Sequence, residues 1–535
     1  MDPSALLRDI AEQTLTEPQC PRSWHRLMQL WQETHDQATR QQVVQQVEAS
    51  PLDDARAEIL RLTFLSDLTG ERRFTDQAAA LVLAIEPFNP DRLATFMAEV
   101  WLDTLKKQAG RATFVHALRK AHLPELATRL ARCASAQLPA NVTARLPRGI
   151  KRIAIITPYL GNGLHTPSVM TANQCDVLAK EGRRVHVFSC QELKPPEMTQ
   201  YRGSTISVLL PPLDLNYWRS VLPSGANLTF SESRLSLAQR WRNMFPKIME
   251  FDPDAILLVG LYSPAAAALY SVRPVVGLNV HTLPPLAPLD VWLSADEGSA
   301  QHPPEGWEEA FAAPLLYSHP YRIKRPQGPW SVTRPALGLA DDAVVWVSIG
   351  GRLESEVSGP WATRMLELLV RTPHAVWLLV GGAGNLPKAL EQAPPGKVIH
   401  LATRPDIGGI LHLSDIYLNP PRMGGGFSVA EAMAVGLPVL SFVDSDGGDK
   451  VGELALTDTD AYVERLSALT ANPDLRSEMG QLLSSRFSQR FDLAASAPSL
   501  IAALELAVDA ARERLGSQQK RGLPLMSPAV TERHG

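Results

Sequence analysis

The sequence predicts an α/β protein in which two doubly wound parallel-sheet domains follow an all-helical domain. Residues 1–135 contain amphipathic patterns such as ARAEILRLTFLSDL and almost no runs of β-branched residues, which is typical of packed helices. Two series of short apolar runs that alternate with helical patterns then begin at KRIAIITPYL and at DDAVVWVSIGG. Such alternation indicates βαβ units, and therefore parallel sheets with right-handed crossovers.

Composition and charge exclude several classes of protein. The chain has 535 residues with a net charge of -4, and 45% of the residues are hydrophobic. This balance gives no electrostatic reason to expect nucleic-acid binding. The N-terminus MDPSALLRDIAEQ lacks the features of a signal peptide, and no apolar run approaches the roughly 20 residues that span a bilayer. We therefore expect a cytoplasmic protein without a transmembrane segment.

The cysteines give no sign of a metal centre or of a disulfide framework. None of the four belongs to a CxxC pair or to a Cys/His ligand pattern. Buried thiols are the simplest interpretation of them. They are Cys20, Cys133, Cys175 and Cys190.

Changes of composition and hydrophobic pattern along the chain give the expected domain boundaries. The segment AQLPANVTARLPRG is rich in prolines and small residues, which is typical of a linker. The helical domain before it is either a packing module or a surface that docks an acceptor or a second copy of the chain. The predicted units are the helical domain 1–135, the linker 136–149, the sheet domains 150–335 and 336–490, a crossing helix 491–515 and a disordered tail 516–535.

The segment NPPRMGGGFSVAEAMAVGLPV predicts a glycine loop, a short helix and a strand in succession. The amides of Gly424, Gly425 and Gly426 can approach an anion without Cβ interference, and the helix adds its positive N-terminal end. We therefore expect a nucleotide diphosphate there, with Glu431 placed to meet a sugar hydroxyl. The alternative is a capping box from Ser428 to Glu431, in which Glu431 serves only its own helix end.

A second candidate for anion binding is Arg352, which follows Gly351 at the end of a predicted strand. Its guanidinium can grip a diphosphate with two hydrogen bonds and offset charge that develops on a leaving group. Otherwise it is a surface arginine of little energetic consequence. Lys450 and Arg422 are further sources of positive charge, and Asp449 either binds the sugar or closes a turn.

Two parallel-sheet domains, with a glycine loop and EAMAVGLPV in the second, resemble the GT-B glycosyltransferases over about residues 150–515. The resemblance implies two Rossmann-like domains, of which the second binds a nucleotide sugar and the first presents the acceptor. It further implies that Glu431 binds the ribose hydroxyls, and that the amides from Gly425 through Phe427 to Ser428 face the diphosphate. The family usually binds the base just after the strand KVIHLAT, which makes Thr403 and Arg404 candidates.

One position departs from the family pattern. Many relatives with nucleotide-diphosphate donors carry a lysine about six residues after the arginine, and here that position is Ser358. This departure favours a different class of function, a non-catalytic GT-B-like subunit that binds a partner through its helical domain. No DxD motif stands at a predicted strand end, because Asp444-Ser445-Asp446 lies in a loop. We therefore expect the amides, Arg352 and the helix end to neutralise the diphosphate without a metal.

On the acceptor side, the turn GNGLHTP brings Gly161, Gly163 and His165 to the cleft, where relatives place acceptor-binding and sometimes basic residues. A histidine near neutrality can take the acceptor proton if it lies within hydrogen-bond reach. His281 is the rival candidate, and either histidine is otherwise structural. An inverting reaction needs such a base and a retaining reaction does not, so the sequence leaves the stereochemistry open.

A second similarity concerns the acceptor. The passage PLDVWLSADEGSAQHPPEGWEEAFAAPLLY resembles, in layout, the bridge between Rossmann-like domains in glycosyltransferases that modify serine, threonine or asparagine of proteins. Those enzymes also carry a helical domain before the GT-B core. The resemblance implies a protein or peptide acceptor, with a surface polysaccharide or lipopolysaccharide glycan as the alternative. No cofactor is expected beyond the nucleotide-diphosphate sugar. A nicotinamide-dependent enzyme, suggested by GNG, is disfavoured by the missing third glycine.

Overall fold

The structure is a computed structural model of the chain. It describes residues 3–50, 52–85, 89–107, 110–193, 210–280, 283–295 and 307–521. Within these ranges, no helix combines the length and the apolar character needed to cross a bilayer.

The N-terminal part is entirely helical where it is described. Local chemistry fixes several helix ends: the Asp36 carboxylate accepts from the amides of Ala38 and Thr39, and Gly70, with φ of 72°, ends a helix in the left-handed region. The helices are α1 (Pro3–Thr16), α2 (Pro21–Glu33), α3 (Gln37–Ala49), α4 (Ala55–Thr69), α5 (Arg72–Ala84), α6 (Pro90–Lys107), α7 (Arg111–Lys120) and α8 (Leu123–Ser135).

A seven-stranded parallel sheet follows, with the strand order β3-β2-β1-β4-β5-β6-β7. Ile153 of the central strand is in register with Val185 on one side and with Ala255 on the other. The elements are β1 (Arg152–Ile156), α9 (Thr166–Lys180), β2 (Arg184–Ser189), α10 (Leu215–Val221), β3 (Asn227–Phe230), α11 (Leu237–Phe251), β4 (Ala255–Val259), α12 (Pro264–Leu269), β5 (Val275–Leu278), β6 (Val291–Ser294), α13 (Trp307–Ala310) and β7 (Leu315–Ser318).

The second sheet has five parallel strands in the order β10-β9-β8-β11-β12. Trp346 of its central strand is in register with Trp377 and with Ile416. The elements are β8 (Val344–Ile349), α14 (Leu353–Glu356), α15 (Gly359–Arg371), β9 (Ala375–Val380), β10 (Val398–Leu401), α16 (Ile407–Leu413), β11 (Ile416–Leu418), α17 (Gly426–Ala434), β12 (Val439–Leu440), α18 (Asp446–Val451), α19 (Thr459–Ala471) and α20 (Pro473–Arg490).

The last helix, α21 (Ala497–Arg521), returns to the first sheet, where Leu500, Leu504 and Val508 enter that domain's core. It starts later than the predicted boundary at 491, because Asp492 caps a separate 3-10 turn at Leu493–Ala495. It also continues past the predicted end at 515. The single glycine there costs a helix only about 1 kcal/mol, and good helix formers follow it.

The helical domain is not a separate body, because it shares one hydrophobic core with a face of the first sheet. Leu126 and Leu130 of α8 belong to the same buried cluster as Leu269 of α12 and Ile156 of β1. Across this boundary the Asp91 carboxylate of α6 accepts from the amide of Leu237 at 2.8 Å, which satisfies the start of α11. The helical domain and the first sheet domain therefore pack together through one continuous core.

The chain crosses between the two sheet domains twice, and the two crossings are hydrogen-bonded to each other. The amide of Ile323 donates to the Phe491 carbonyl at 3.2 Å, and the amide of Leu493 donates to the Ile323 carbonyl at 2.9 Å. The ring of Phe427 packs against both the second-domain core and the core formed by the first sheet and α21. The start of α17 therefore lies at the boundary between the sheet domains.

Candidate functional site

The glycine loop lies where β11 ends, and its backbone forms the start of α17. Gly425 is the residue that precedes the helix, with φ of 78°, in a region that side chains rarely adopt. A Cβ on Gly425 would also stand 2.5 Å from Oδ1 of Asn419 and 2.6 Å from Nε of Arg422. Glycine is therefore required both by the backbone conformation and by the close neighbours. The first amides of α17 lie at the carboxyl edge of the sheet.

Arg422 lies under this loop as a buried support. Its Nε donates to Oδ1 of Asn419 at 2.9 Å, its Nη1 to Oε2 of Glu356 at 2.7 Å, and its Nη2 to the Ile349 carbonyl at 2.9 Å. Only 4% of the residue is exposed. The guanidinium is fully engaged by the protein, so the structure gives Arg422 a supporting role in place of the expected contact with a diphosphate.

Glu356 links Arg422 to Arg352. Its Oε1 lies 2.7 Å from Nη2 of Arg352, which also donates to the Met423 carbonyl at 3.4 Å. Burial opposes ionisation of Glu356, but the two guanidinium groups outweigh it and hold the pKa of the carboxyl below its usual range. Arg352 thus lies beside the glycine loop, held there by a carboxylate that the sequence analysis missed. The signal was its position one helical turn after Arg352.

Glu431 is not part of a capping box. The helix already begins at Gly426, so Ser428 is inside it; the Ser428 hydroxyl donates to the Gly425 carbonyl at 3.1 Å and accepts from Tyr417 at 2.7 Å. Among the described residues, none forms a hydrogen bond or an ion pair with the Glu431 carboxylate. Burial raises the pKa of this carboxyl to about 7. Glu431 therefore offers acceptor oxygens to a ligand.

The short helix α18 packs against the start of α17. A Cβ on Gly426 would stand 3.0 Å from the Asp446 carbonyl oxygen, and the Ser445 hydroxyl caps α18 by accepting from the Gly448 amide at 2.9 Å. Lys450 is buried with its ammonium 5.2 Å from the centroid of the Phe491 ring. The carbonyls of Asp449 and Lys450 accept from Arg486. This packing explains the burial of Lys450 without a ligand.

The two candidates for base recognition lie just after β10. The amide and the hydroxyl of Thr403 both donate to the Gly382 carbonyl, at 3.1 and 3.2 Å. The guanidinium of Arg404 forms a two-point ion pair with Asp406 at 2.5 Å, which holds the pKa of the Asp406 carboxyl below its usual range. The ion pair uses Nε and Nη2 and leaves Nη1 and the flat face of the guanidinium outside the pair.

On the first-domain side, the structure brings Gly161, Gly163 and His165 together at the end of β1. His165 precedes α9, and its Nδ1 lies 2.7 Å from the Ser168 hydroxyl, which also accepts from the Gly161 amide at 2.8 Å. A Cβ on Gly163 would stand 3.1 Å from the Tyr217 ring. Burial lowers the pKa of His165 to about 4, so its ring is neutral near pH 7. His281 lies outside the described residues.

Comparison with known proteins agrees with this architecture. Residues 345–472, which fall in the second sheet domain, match the model of the glycosyl transferases group 1 family. No curated protein matches the chain.

Many solved structures are similar to the chain. A mutant of the Thermobaculum terrenum O-GlcNAc transferase is 16% identical, with a TM-score of 0.52, over 96% of this chain and 99% of that chain. WaaG, a glycosyltransferase involved in lipopolysaccharide biosynthesis, is 14% identical with a TM-score of 0.40, over 66% and 99%. The glycosyltransferase SnogD from Streptomyces nogalater is 15% identical with a TM-score of 0.41, over 66% and 99%. The predicted fold is confirmed: the chain has a GT-B fold preceded by a helical region.

Proposed function

We propose that this protein is a glycosyltransferase that transfers a sugar from a nucleotide-diphosphate sugar to a polypeptide. The observation that carries the proposal is the Glu431 carboxylate, which has no partner within the described part of the chain and stands in the helix that begins at the glycine loop. Ribose hydroxyls are donors that suit such a carboxylate. The family match to residues 345–472 supports the assignment of the donor to the second sheet domain.

The diphosphate of the donor would bind at the start of α17. The amides from Gly425 to Ser428 are the unsatisfied donors of a nine-residue helix, and the helix dipole favours a negative charge there. Arg352, beside the loop, adds a positive charge. As the glycosidic bond breaks, negative charge grows on the departing nucleotide diphosphate, and both groups stabilise it.

The proposed reaction needs no metal, because the amides and Arg352 supply the neutralising charge. Asp444 and Asp446 lie in different surroundings. Oδ2 of Asp444 lies against Gly110 of the helical domain, 2.7 Å from the position that a Cβ would take there, while Asp446 is buried in the first turn of α18. Donor binding in the presence of a chelator tests this part of the proposal.

The polypeptide acceptor is supported by the way in which the helical domain is attached. It shares a hydrophobic core with the first sheet domain, so a segment docked on the helices keeps a fixed position relative to His165. His165 is our candidate for the base of an inverting reaction, since its ring is neutral near pH 7. A cytoplasmic location and self-association through the helical domain stay predictions from the sequence.

One observation favours the non-catalytic alternative. Ser358 stands where many relatives have a lysine, and it is an exposed residue that precedes α15. In addition, Arg352 is held by Glu356 in this structure. If the chain only binds a partner, nucleotide sugars will neither stabilise it nor be consumed by it.

The test is a thermal-shift screen of the purified full-length protein with UDP-, GDP- and dTDP-sugars, with and without EDTA. A ligand that binds only the folded state at 100 times its Kd stabilises that state by about 2.7 kcal/mol. We expect one nucleotide class to raise the melting temperature by several degrees in both conditions, and the same sugar donor to be hydrolysed slowly. No shift and no hydrolysis with any donor would contradict the proposal.

A further inference from the structure

The first sheet domain contains a cavity that the donor site does not use. It lies at the carboxyl ends of β1, β2 and β3 and has a volume of about 430 Å³. The ring of Tyr159 forms part of its wall and packs edge-on against His165, with 5.5 Å between the ring centroids. The cavity therefore adjoins the candidate base. Its lining residues are Tyr159, Gln191, Leu213, Phe230, Ser231, Glu232, Ser233 and Arg234.

Gln191 occupies this wall in a strained backbone conformation. Its φ is 52°, in the left-handed region that residues with a side chain rarely adopt. Buried groups fix it there: the Gln191 amide donates to the Ser189 hydroxyl at 3.1 Å, and Nη1 of Arg240 donates to the Gln191 carbonyl at 2.6 Å. These hydrogen bonds hold Gln191 at the cavity wall.

The orientation of the Gln191 amide group is determined by one hydrogen bond. Oε1 accepts from the amide of Leu160 at 3.2 Å, so the nitrogen Nε2 must occupy the other side of the group. Nε2 has no partner among the residues that the structure describes, although only 4% of Gln191 is exposed. Gln191 lines the cavity, so a ligand oxygen there can accept from this nitrogen.

The surroundings favour a polypeptide over a glycan. Leu213 lines the cavity, and two exposed leucines stand on the neighbouring segments, Leu164 (51% exposed) and Leu215 (39%). These segments touch, because the Asp214 amide donates to the Gly161 carbonyl at 3.3 Å. Exposed leucines beside the cavity can bury apolar side chains of a peptide, and a glycan has no such side chains.

We propose that Gln191 is a specificity-determining residue of the acceptor site, whose Nε2 donates to a main-chain carbonyl of an extended polypeptide segment in this cavity. Apolar side chains of that segment contact Leu164, Leu213 and Leu215. The inference rests on the proposed function, because the segment presents its acceptor residue to a sugar donor held by the second sheet domain. Main-chain recognition through one amide selects for polypeptide while tolerating many sequences.

The test uses Gln191→Glu in the full-length protein. This change keeps an oxygen for the Leu160 amide and replaces Nε2 by an oxygen that repels a carbonyl. Transfer is measured with synthetic dodecapeptides that each contain one Ser, Thr or Asn, and with a set of oligosaccharides. We expect KM for the peptides to rise at least tenfold while kcat falls much less. The rise in melting temperature on adding donor should persist, since the donor binds elsewhere.

Two further variants make the result decisive. Gln481→Glu introduces the same charge on the exposed surface of α20, and its KM for peptides should match that of the wild type. Leu164→Ser, at an exposed position that cannot disrupt the core, should raise KM for peptides that carry apolar residues beside the acceptor residue. The inference is wrong if Gln191→Glu leaves the KM for peptides unchanged, or if it raises only the KM for oligosaccharides. Failure of the proposed function looks different, because the wild-type protein would then show no donor-dependent stabilisation or would transfer sugar to none of the peptides.

Discussion

Glu356 and Arg422 form a buried ion pair beneath the glycine loop, with 2.7 Å between Oε2 and Nη1. The other oxygen of the same carboxylate holds Arg352, whose side chain is 28% exposed. One buried carboxylate therefore serves two arginines with different roles: Arg422 stabilises the loop from below, and Arg352 remains able to leave Glu356 for a ligand. When Arg352 leaves, Arg422 still neutralises Glu356.

The two arginines should therefore separate stability from donor binding. Arg422→Met removes the main partner of a buried carboxylate, and we expect a loss of about 3–5 kcal/mol in the free energy of unfolding, measured by urea denaturation. Arg352→Met removes a more exposed pair and should cost at most about 1 kcal/mol. It should nevertheless weaken nucleotide-diphosphate binding at least tenfold by calorimetry. Equal stability losses in the two variants would contradict this division of roles.

Gly351→Ala tests whether a ligand approaches the backbone beside Arg352. A Cβ at this position meets no atom within 4 Å, and the residue does not have a positive φ, so the substitution should leave stability unchanged. If the donor lies over Gly351, the methyl group will obstruct it and raise its Kd several-fold. Gly149→Ala, which also meets open space, is the control and should change neither quantity. Unaltered donor affinity in Gly351→Ala would remove this residue from the donor site.

Gly425→Ala should damage the glycine loop by close contact and not only by backbone strain. Gly436 is the matched position, because its φ is 84° and a Cβ there meets open space. Gly436→Ala should therefore cost about 1 kcal/mol in the free energy of unfolding, from the left-handed backbone alone. Gly425→Ala adds the clash with Asn419 and Arg422, so it should be less stable than Gly436→Ala and should lose donor binding. Similar free energies of unfolding in the two variants would show that the loop can accommodate a Cβ at residue 425.

Glu431→Gln should weaken donor binding and, at alkaline pH, stabilise the free protein. The folded protein holds the proton of Glu431 up to about pH 7, whereas an unfolded chain releases it near pH 4.5. The wild type therefore loses stability as pH rises from 4.5 to 7, and the glutamine variant does not. The gain in melting temperature should be larger at pH 8 than at pH 5, while donor affinity falls about tenfold or more. Intact affinity would exclude Glu431 as the ribose ligand.

The pH profile of transfer should identify the acting groups. His165 is neutral above about pH 4, so as a general base it would produce no limb near neutrality. Glu431 ionises near pH 7 and binds hydroxyl donors best as a carboxylate, so kcat/KM should rise through pH 7. Glu431→Gln should abolish that limb, and His165→Gln should keep it while lowering kcat. A neutral limb that disappears in His165→Gln would mean that His165, and not Glu431, titrates there.

The core that the helical domain shares with the first sheet shows why a domain boundary predicted from sequence can be incomplete. The proline-rich segment 136–149 has the composition of a linker, yet Leu138 and Val142 pack against the shared core. Arg145 from the same segment pairs with Asp252 and Asp254. Amino-acid composition indicates where helices and strands are interrupted. It does not indicate which apolar faces pack against each other after folding.

The sequence by itself determined the order of elements, the parallel sheets and the position of the glycine loop. These depend on period, on turn chemistry and on the absence of a Cβ, all of which are local properties. The tertiary structure alone decided what each charged residue contacts, because side-chain contacts depend on how the chain folds. Arg422 forms an ion pair with Glu356, which is distant in the chain, and Arg404 pairs with Asp406. Glu431 has no partner within the described residues. The sequence analysis did not identify Gln191 for the same reason. Its proposed role depends on a backbone conformation and a cavity that form only when the chain folds.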